Sequence, residues 1–280
     1  MKTQNLLLLG LITILFASCT SSAYYQVYKT AYSDKLSIKD NELVYEDDNC
    51  RVFYNLWTEG GDIGFKLYNK TDKNIYLNLE ESFFILNGIA HDYYKNRVIT
   101  NSSNSGSTVS YGINASSSAT GYNYFDLIQT NKISVSKSTG IISSNGYSVS
   151  TNEEKVICIP SKTSKIISEY SINQSLIRNC DLYKYPTKNQ VKSIGYNKSQ
   201  SPIVFSNRMT YSLGQDTTPI KFENEFYVME ITNYPMKEII DLKFAELCGQ
   251  KSMTLSRHFK NSSPDKFYIK YLKGRDYWKH

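Results

Sequence analysis

The chain has 280 residues, 21% of them charged and 40% hydrophobic, with a net charge of +6 and a pI near 8.8. That length supports one large domain or two small ones with real cores. The lysines are scattered rather than clustered, so the mild basicity reads as a solvated surface and argues against a nucleic-acid partner, which needs a basic patch and usually a motif.

Lys2 supplies a short positive start, and Leu6 to Phe16 follow without a charge. This run has the length of a signal-peptide core and falls short of the ~20 residues that a spanning helix needs. Small residues then lead into a cysteine. Phe16-Ala17-Ser18-Cys19 resembles the lipobox of bacterial lipoproteins, with Phe16 where the family usually has Leu or Val. The resemblance implies a signal peptide over residues 1–18, removed at Cys19. It also implies diacylation (palmitate among the chains) of the Cys19 thiol and, in some members, acylation of the new amino terminus. A single acyl chain holds a protein only marginally, at about 0.8 kcal/mol per buried methylene, whereas two or three make release negligible. Thr20 is not the acidic residue that retains some lipoproteins at the inner membrane, so the resemblance favours the outer membrane. Residues 19–23 read as a tether, and the face of the membrane that the protein decorates stays open.

From Tyr24 to Ile99 the pattern predicts a β-meander. Val52, Tyr54 and Leu56 share one face, and Glu59-Gly60-Gly61-Asp62 turns the chain. Ile63, Phe65 and Leu67 alternate with polar neighbours. Asn69 to Lys73 makes a second turn before Ile75, Leu77 and Leu79. Phe83 to Leu86 runs into Asn87-Gly88, a strong hairpin signal. Alternation of period 2, with turns every eight to twelve residues, is the pattern of a β-sandwich. Phe65 to Ile75 looks like the strand–turn–strand passage of bacterial immunoglobulin-like domains. The whole chain resembles uncharacterised envelope lipoproteins of gut Bacteroidetes, rich in Tyr, Asn, Lys and Ser. Neither resemblance supplies an activity, because a fold does not imply one.

Residues 100–154 differ. No charge lies between Arg97 and Asp126, and Ser, Thr, Asn and Gly dominate residues 101–121. The stretch is too long for an ordinary loop. Its short alternating segments, such as Val109 to Ala115 and Ile133 to Val135, fit a surface insertion; the alternative is a hairpin inserted in a multi-chain membrane barrel, whose strands need ~9–11 residues.

Strands resume at Val156–Ile159, which Pro160 stops, and continue at Lys165–Ile172, Ile203–Phe205, Met209–Leu213, Phe226–Ile231 and Lys266–Leu272. Cys180 to Gln200 is polar and turn-rich. Pro235 to Leu247 is the one helix candidate, with Pro235 at the first position, Ile239, Ile240, Phe244 and Leu247 near one face and Gly249 to end it. The expected fold is therefore an antiparallel immunoglobulin-like β-sandwich over residues 24–99 and 155–280, as one or two domains, with a long low-complexity insertion and one short C-terminal helix.

The chemistry is sparse. Beyond Cys19 there are Cys50, Cys158, Cys180 and Cys248, which permit two disulfides in three pairings or none. Only His91, His258 and His280 occur, and adjacent His91 and Asp92 would point to opposite faces of a strand. The acidic neighbours Asp47/Asp48, Glu80/Glu81 and Glu153/Glu154 diverge in the same way, whereas a glycosidase needs two carboxylates ~5–9.5 Å apart across a cleft. Glu46 to Asn49 carries oxygen ligands but lacks the spaced loop that wraps calcium. Asp216-Thr217-Thr218 resembles the O-glycosylation motif of exported Bacteroidetes proteins, which makes Thr217 a candidate. Nucleotide-binding, zinc-protease and serine-hydrolase patterns are absent. The 24 tyrosines signal strands first, and sugar stacking or a membrane rim second. The sequence thus points to a non-enzymatic, outer-membrane lipoprotein without cofactor or metal that contacts a protein or glycan. The rivals are an oligomer inserting residues 100–154 in the membrane and a carbohydrate-active enzyme with carboxylates gathered from distant strands.

Overall fold

The computed structural model describes residues 23–105, 145–214 and 218–274. The signal peptide, Cys19, Thr217, His280 and the alternating segments within residues 106–144 lie outside the described residues. Two antiparallel sheets pack face to face. One contains β1 (Ala23–Tyr32), β6 (Ile75–Leu86), β7 (Ile89–Asp92), β10 (Val156–Ile159), β12 (Ser193–Gly195), β13 (Val204–Leu213), β14 (Ile220–Pro235) and β17 (Lys266–Leu272), with the main order β10-β6-β13-β14-β1-β17. The other runs β11-β5-β4-β3-β2, from β2 (Leu36–Lys39), β3 (Glu42–Glu46), β4 (Cys50–Tyr54), β5 (Phe65–Asn69) and β11 (Ser164–Ile167). The fold is a mainly β, antiparallel sandwich. Strands from before and after the insertion share both sheets, since β6 pairs with β10 and β13, and β5 with β11.

Period-2 burial builds the core. Val52, Tyr54 and Leu56, then Ile63, Phe65 and Leu67, then Ile75, Leu77 and Leu79 all face inward. Aromatic pairs bridge the two layers: Tyr45 stacks on Phe222 at 4.7 Å, and Tyr54 meets Phe226 edge-on at 5.6 Å. Such pairs contribute about 0.5–1.5 kcal/mol beyond their buried area. Among the described residues eight tyrosines are buried (Tyr24, Tyr25, Tyr28, Tyr45, Tyr54, Tyr93, Tyr211 and Tyr271), so part of the tyrosine excess is core material.

The predicted meander breaks at residues 69–73. β5 pairs with β4 and β11 whereas β6 pairs with β13, β10 and β7, so this turn carries the chain from one sheet to the other. Buried Asn69 holds the crossing, its Nδ2 donating to the carbonyls of Lys73 (2.7 Å) and Ile159 (3.0 Å). The Asn87-Gly88 turn forms as expected, with both residues at positive φ (+49° and +82°), and joins β6 to β7.

The helix over Pro235–Leu247 is corrected as well. Only Met236–Ile239 (α1) is helical, and the chain continues as β15 (Ile240–Leu247) paired with β16 (Gln250–Phe259). Cys248 and Gly249, at φ +51° and +77°, form a hairpin turn where the helix reading had a terminating glycine. Residues at i, i+2 and i+4 in β15 find partners across the ribbon (Leu242 opposite Arg257, Phe244 opposite Leu255), and those pairs outweigh a weak helical stripe. A second ribbon, β8 (Val98–Ser105) with β9 (Asn145–Asn152), forms the stem of the insertion.

Candidate functional site

The acidic turn after β3 is built for structure. Asp47 Oδ1 accepts the backbone N–H groups of Asn49 (2.8 Å) and Cys50 (2.7 Å), and Oδ2 accepts the Tyr211 hydroxyl at 2.9 Å. Asn49 Nδ2 donates to the same Tyr211 oxygen at 3.0 Å, and Lys70 Nζ to the Asp47 carbonyl at 2.6 Å. A carboxylate committed this way closes a turn and ties it to the opposite sheet. Cys50 lies fully buried beside it, with Sγ 3.6 Å from Asp47 Oδ2. Burial first, then the neighbouring carboxylate, push this thiol far above its usual range. It stays protonated and lacks the electropositive setting of a nucleophilic cysteine.

All four described cysteines are free thiols: Cys50 buried, Cys158 half-buried, Cys180 and Cys248 exposed. No disulfide joins them; Cys50 sits in the core and Cys248 at the tip of the β15–β16 ribbon. His91 packs its ring against both Phe84 and Tyr170, which stack on each other, with Asp92 on the other side of the strand. His258 stands opposite Asp241 on the ribbon. Among the described residues no group of three or more His, Cys, Asp or Glu is placed to hold a metal.

The paired acids separate as well. Glu80 meets Lys155 (2.6 Å), while Glu81 meets Lys221 (3.0 Å). Glu153 accepts the Arg97 guanidinium (2.6 Å) and the backbone N–H groups of Lys95 and Arg97, and Arg97 also reaches Glu169 at 2.7 Å. These contacts outweigh the desolvation that alone would raise Glu153, and hold its carboxyl below the usual range. The cluster fastens the root of the β8–β9 ribbon to the segment after β11. Asp62, half-buried and raised by desolvation, accepts Gly64 N–H at 2.7 Å within its own turn and Ser168 Oγ at 3.1 Å from the segment after β11.

Among the described residues, two of the cavities that open on the surface stand out. The first, about 280 Å³, lies between the β1–β14 pair and residues 176–184, with Gln26, Asn233, Tyr271 and Asn179 in its wall. Its buried amides are already committed. Gln26 Nε2 donates to Ile177 O and Asn233 Oδ1, both at 2.9 Å, and Gln26 Oε1 accepts Ile177 N–H at 2.8 Å and the Tyr28 hydroxyl. Asn233 Nδ2 donates to Tyr183 O at 3.0 Å. These bonds pin an irregular segment to the sheet. Tyr24, Tyr185 and Tyr271 group beside the cavity with ring centroids 5.2–6.1 Å apart. The second cavity, about 420 Å³, is walled by Tyr76, Asn78, Cys158 and Thr210 through Ser212.

The ribbon β15–β16 is the surface feature that sequence reasoning missed. It pairs only with itself and has two unlike faces. Ile240, Leu242 and Phe244 stand opposite Phe259, Arg257 and Leu255, while Asp241 and Lys243 on the other face oppose His258 and Ser256. At the root, Ile239 is buried with Tyr25 and Val27, and Phe259 packs against Trp57 and Tyr268. Beyond the root the apolar side chains meet water: Leu242 is 60% exposed, Phe244 52%, Leu247 80% and Met253 99%. Leu242, Phe244, Met253 and Leu255 share one face of the ribbon, and Leu247 stands beside the turn on the other. The signal in the sequence was the alternation Met253, Leu255, Arg257, Phe259 following a Cys-Gly pair.

Among the described residues, two features stand out: a tyrosine-flanked cavity beside the β1–β14 pair and an amphipathic ribbon beyond it. Comparison with known protein families, with curated proteins and with solved structures finds no match.

Proposed function

We propose that this protein is a lipid-anchored, non-enzymatic component of a bacterial outer membrane that binds an envelope protein or glycan. The observation that carries the reading is the passage from the lipobox to the fold. Cys19 precedes Ala23, the first residue of β1, by only Thr20, Ser21 and Ser22. A cysteine acylated there would hold the sandwich within about 14 Å of the bilayer, the reach of four extended residues. Half-buried Tyr185, packed on buried Tyr24 and Tyr271 beside the first cavity, supports a glycan partner, since such a ring offers an apolar face and a polar tip to a sugar.

The test replaces Cys19 by Ala in the producing cell and follows radiolabelled fatty acid. Loss of label and release of the protein from the membrane fraction are expected, and continued labelling would overturn the anchor. Melting shifts across a glycan panel test the binding half. Turnover on that panel, abolished by a carboxylate substitution, would replace it with the carbohydrate-active enzyme. One observation favours a second reading, an oligomer that inserts residues 100–154 in the membrane: the β8–β9 stem is an unbroken antiparallel ladder from Val98–Asn152 to Ser105–Asn145, the geometry an inserted hairpin requires. Uniform aqueous labelling of cysteines placed through that region would remove it.

A further inference from the structure

We infer that the apolar face of the β15–β16 ribbon docks on the phospholipid bilayer, so that the protein touches its membrane at a second point beside the lipid anchor. The inference rests on the anchor reading for proximity, and three structural features support it.

The first is position. Tyr24, the second residue of β1, pairs with Pro235, the residue that leads into α1 and the ribbon. The ribbon root, with Ile239 buried against Tyr25 and Val27, thus sits where the chain leaves toward Cys19. An eight-residue strand spans about 27 Å, which exceeds the reach of the tether. The second is the chemistry of the faces. Leu242, Phe244, Leu255 and the tip residues Leu247 and Met253 are apolar and exposed, with exposure greatest at the tip. Lys243, Lys251 and Arg257 outnumber Asp241 and Glu246, a balance that suits anionic headgroups. The third is size. The five exposed apolar side chains of the ribbon (Leu242, Phe244, Leu247, Met253 and Leu255) fall well short of the roughly 20–30 residues that each partner gives a stable protein complex, which disfavours a second copy as the occupant. A bilayer has no such minimum, because each apolar side chain that enters the interface contributes separately.

The native thiol of Cys248, exposed in the ribbon turn, provides the probe. The full mature chain carrying Cys180→Ser is labelled there with an environment-sensitive dye and reconstituted in vesicles of phosphatidylethanolamine and phosphatidylglycerol. Acylation of Cys19 is read by mass on the same sample. The expected result is a blue-shifted emission on vesicles, quenched by nitroxide lipids, and lost in Leu242→Ser/Phe244→Ser with the fold unchanged by circular dichroism. An aqueous emission on vesicles with Cys19 acylated overturns the ribbon proposal and leaves the anchor standing. A blue shift that needs no vesicles and grows with protein concentration also overturns it, in favour of a second copy. Absence of acyl mass on Cys19 overturns the anchor instead. The ribbon is then tested by cosedimentation of the unacylated chain with the same vesicles. Binding that falls more than about tenfold in the double variant supports it, as each side chain is worth about a decade in affinity. No binding by the parent chain overturns it.

Discussion

Replacing Gly61 by Ala probes how tightly the turn after β4 is locked in the core. Gly61 has φ +74°, and a Cβ built there would stand 2.8 Å from Ile172 Cδ1 and 2.9 Å from Phe267 Cγ. Neither neighbour can yield easily. Phe267 is fully buried and stacked on Tyr28 at 4.5 Å. Ile172 is buried and donates its N–H to the carbonyls of Gly60 and Gly61, both at 3.0 Å. The backbone term alone costs about 1–2 kcal/mol for a residue with a Cβ at positive φ. Overpacking adds about 1–3 kcal/mol. Gly88→Ala isolates the first term, since Gly88 has φ +82° with nothing within 4 Å of its Cβ position. Urea unfolding of the two variants should give about 1–2 kcal/mol for Gly88→Ala and about 2–5 kcal/mol for Gly61→Ala, with unchanged m. In thermal unfolding each kcal/mol is worth about 2–4 °C for a domain of this size. Equal losses in the two variants, within ~0.5 kcal/mol, would refute the steric argument.

Two further outcomes follow from the electrostatics. Exposed Glu46 takes hydrogen bonds from Lys70 (2.8 Å) and Arg51 (2.9 Å), which hold its carboxyl down to about 2. A folded value below the ordinary one means that the ionised form stabilises, so the contribution is present above pH ~4.5 and is lost as pH falls toward 2. The stability gap between wild type and Glu46→Gln should be flat above pH 5, below ~1 kcal/mol because the group faces solvent, and close to nothing near pH 2; a gap that widens in acid would contradict the pairing. In the native state at pH 8, a thiol reagent should modify Cys180 and Cys248 rapidly and leave Cys50 untouched until unfolding. Peptide mapping that finds Cys50 modified at the rate of Cys248 would show that the Cys50–Asp47 contact is not as described.

Much of the sandwich was legible because one face of each strand is dry. Val52, Tyr54, Leu56, Phe65, Leu67, Ile75 and Leu77 are all fully or nearly fully buried, and a face with that requirement writes itself in the sequence at period 2. Asn87-Gly88 was legible since a two-residue hairpin turn demands positive φ. Partner choice was not. Asn69 to Lys73 is as good a hairpin turn as it is an arch, and the bonds that decide, from Asn69 to the carbonyls of Ile159 and Pro160, come from ninety residues away. The ribbon failed for a different reason. Ile239, Ile240, Phe244 and Leu247 satisfy a helical stripe, while Leu242 and Phe244 satisfy a strand. Only the segment after Gly249 breaks the tie, by supplying Leu255 and Phe259 opposite Phe244 and Ile240.

The placement of polar groups also sets where binding would cost least. Within the sandwich, Gln26, Asn233, Asn69 and Asn207 each hold a distant backbone carbonyl, and Asn207 Oδ1 further accepts the Tyr93 hydroxyl at 2.8 Å. Withdrawing such an amide to meet a ligand would leave a buried carbonyl unpaired, at about 1–3 kcal/mol. A new hydrogen bond returns about 1 kcal/mol, so the exchange opposes binding at these groups. The ribbon carries no such penalty. Its apolar side chains are already in water, and each one buried by a partner gains up to about 1.5–3 kcal/mol in proportion to its exposure. Met253 and Leu247, the most exposed of them, flank the turn farthest from the packed root. Contact at the tip therefore leaves every hydrogen bond of the sandwich in place.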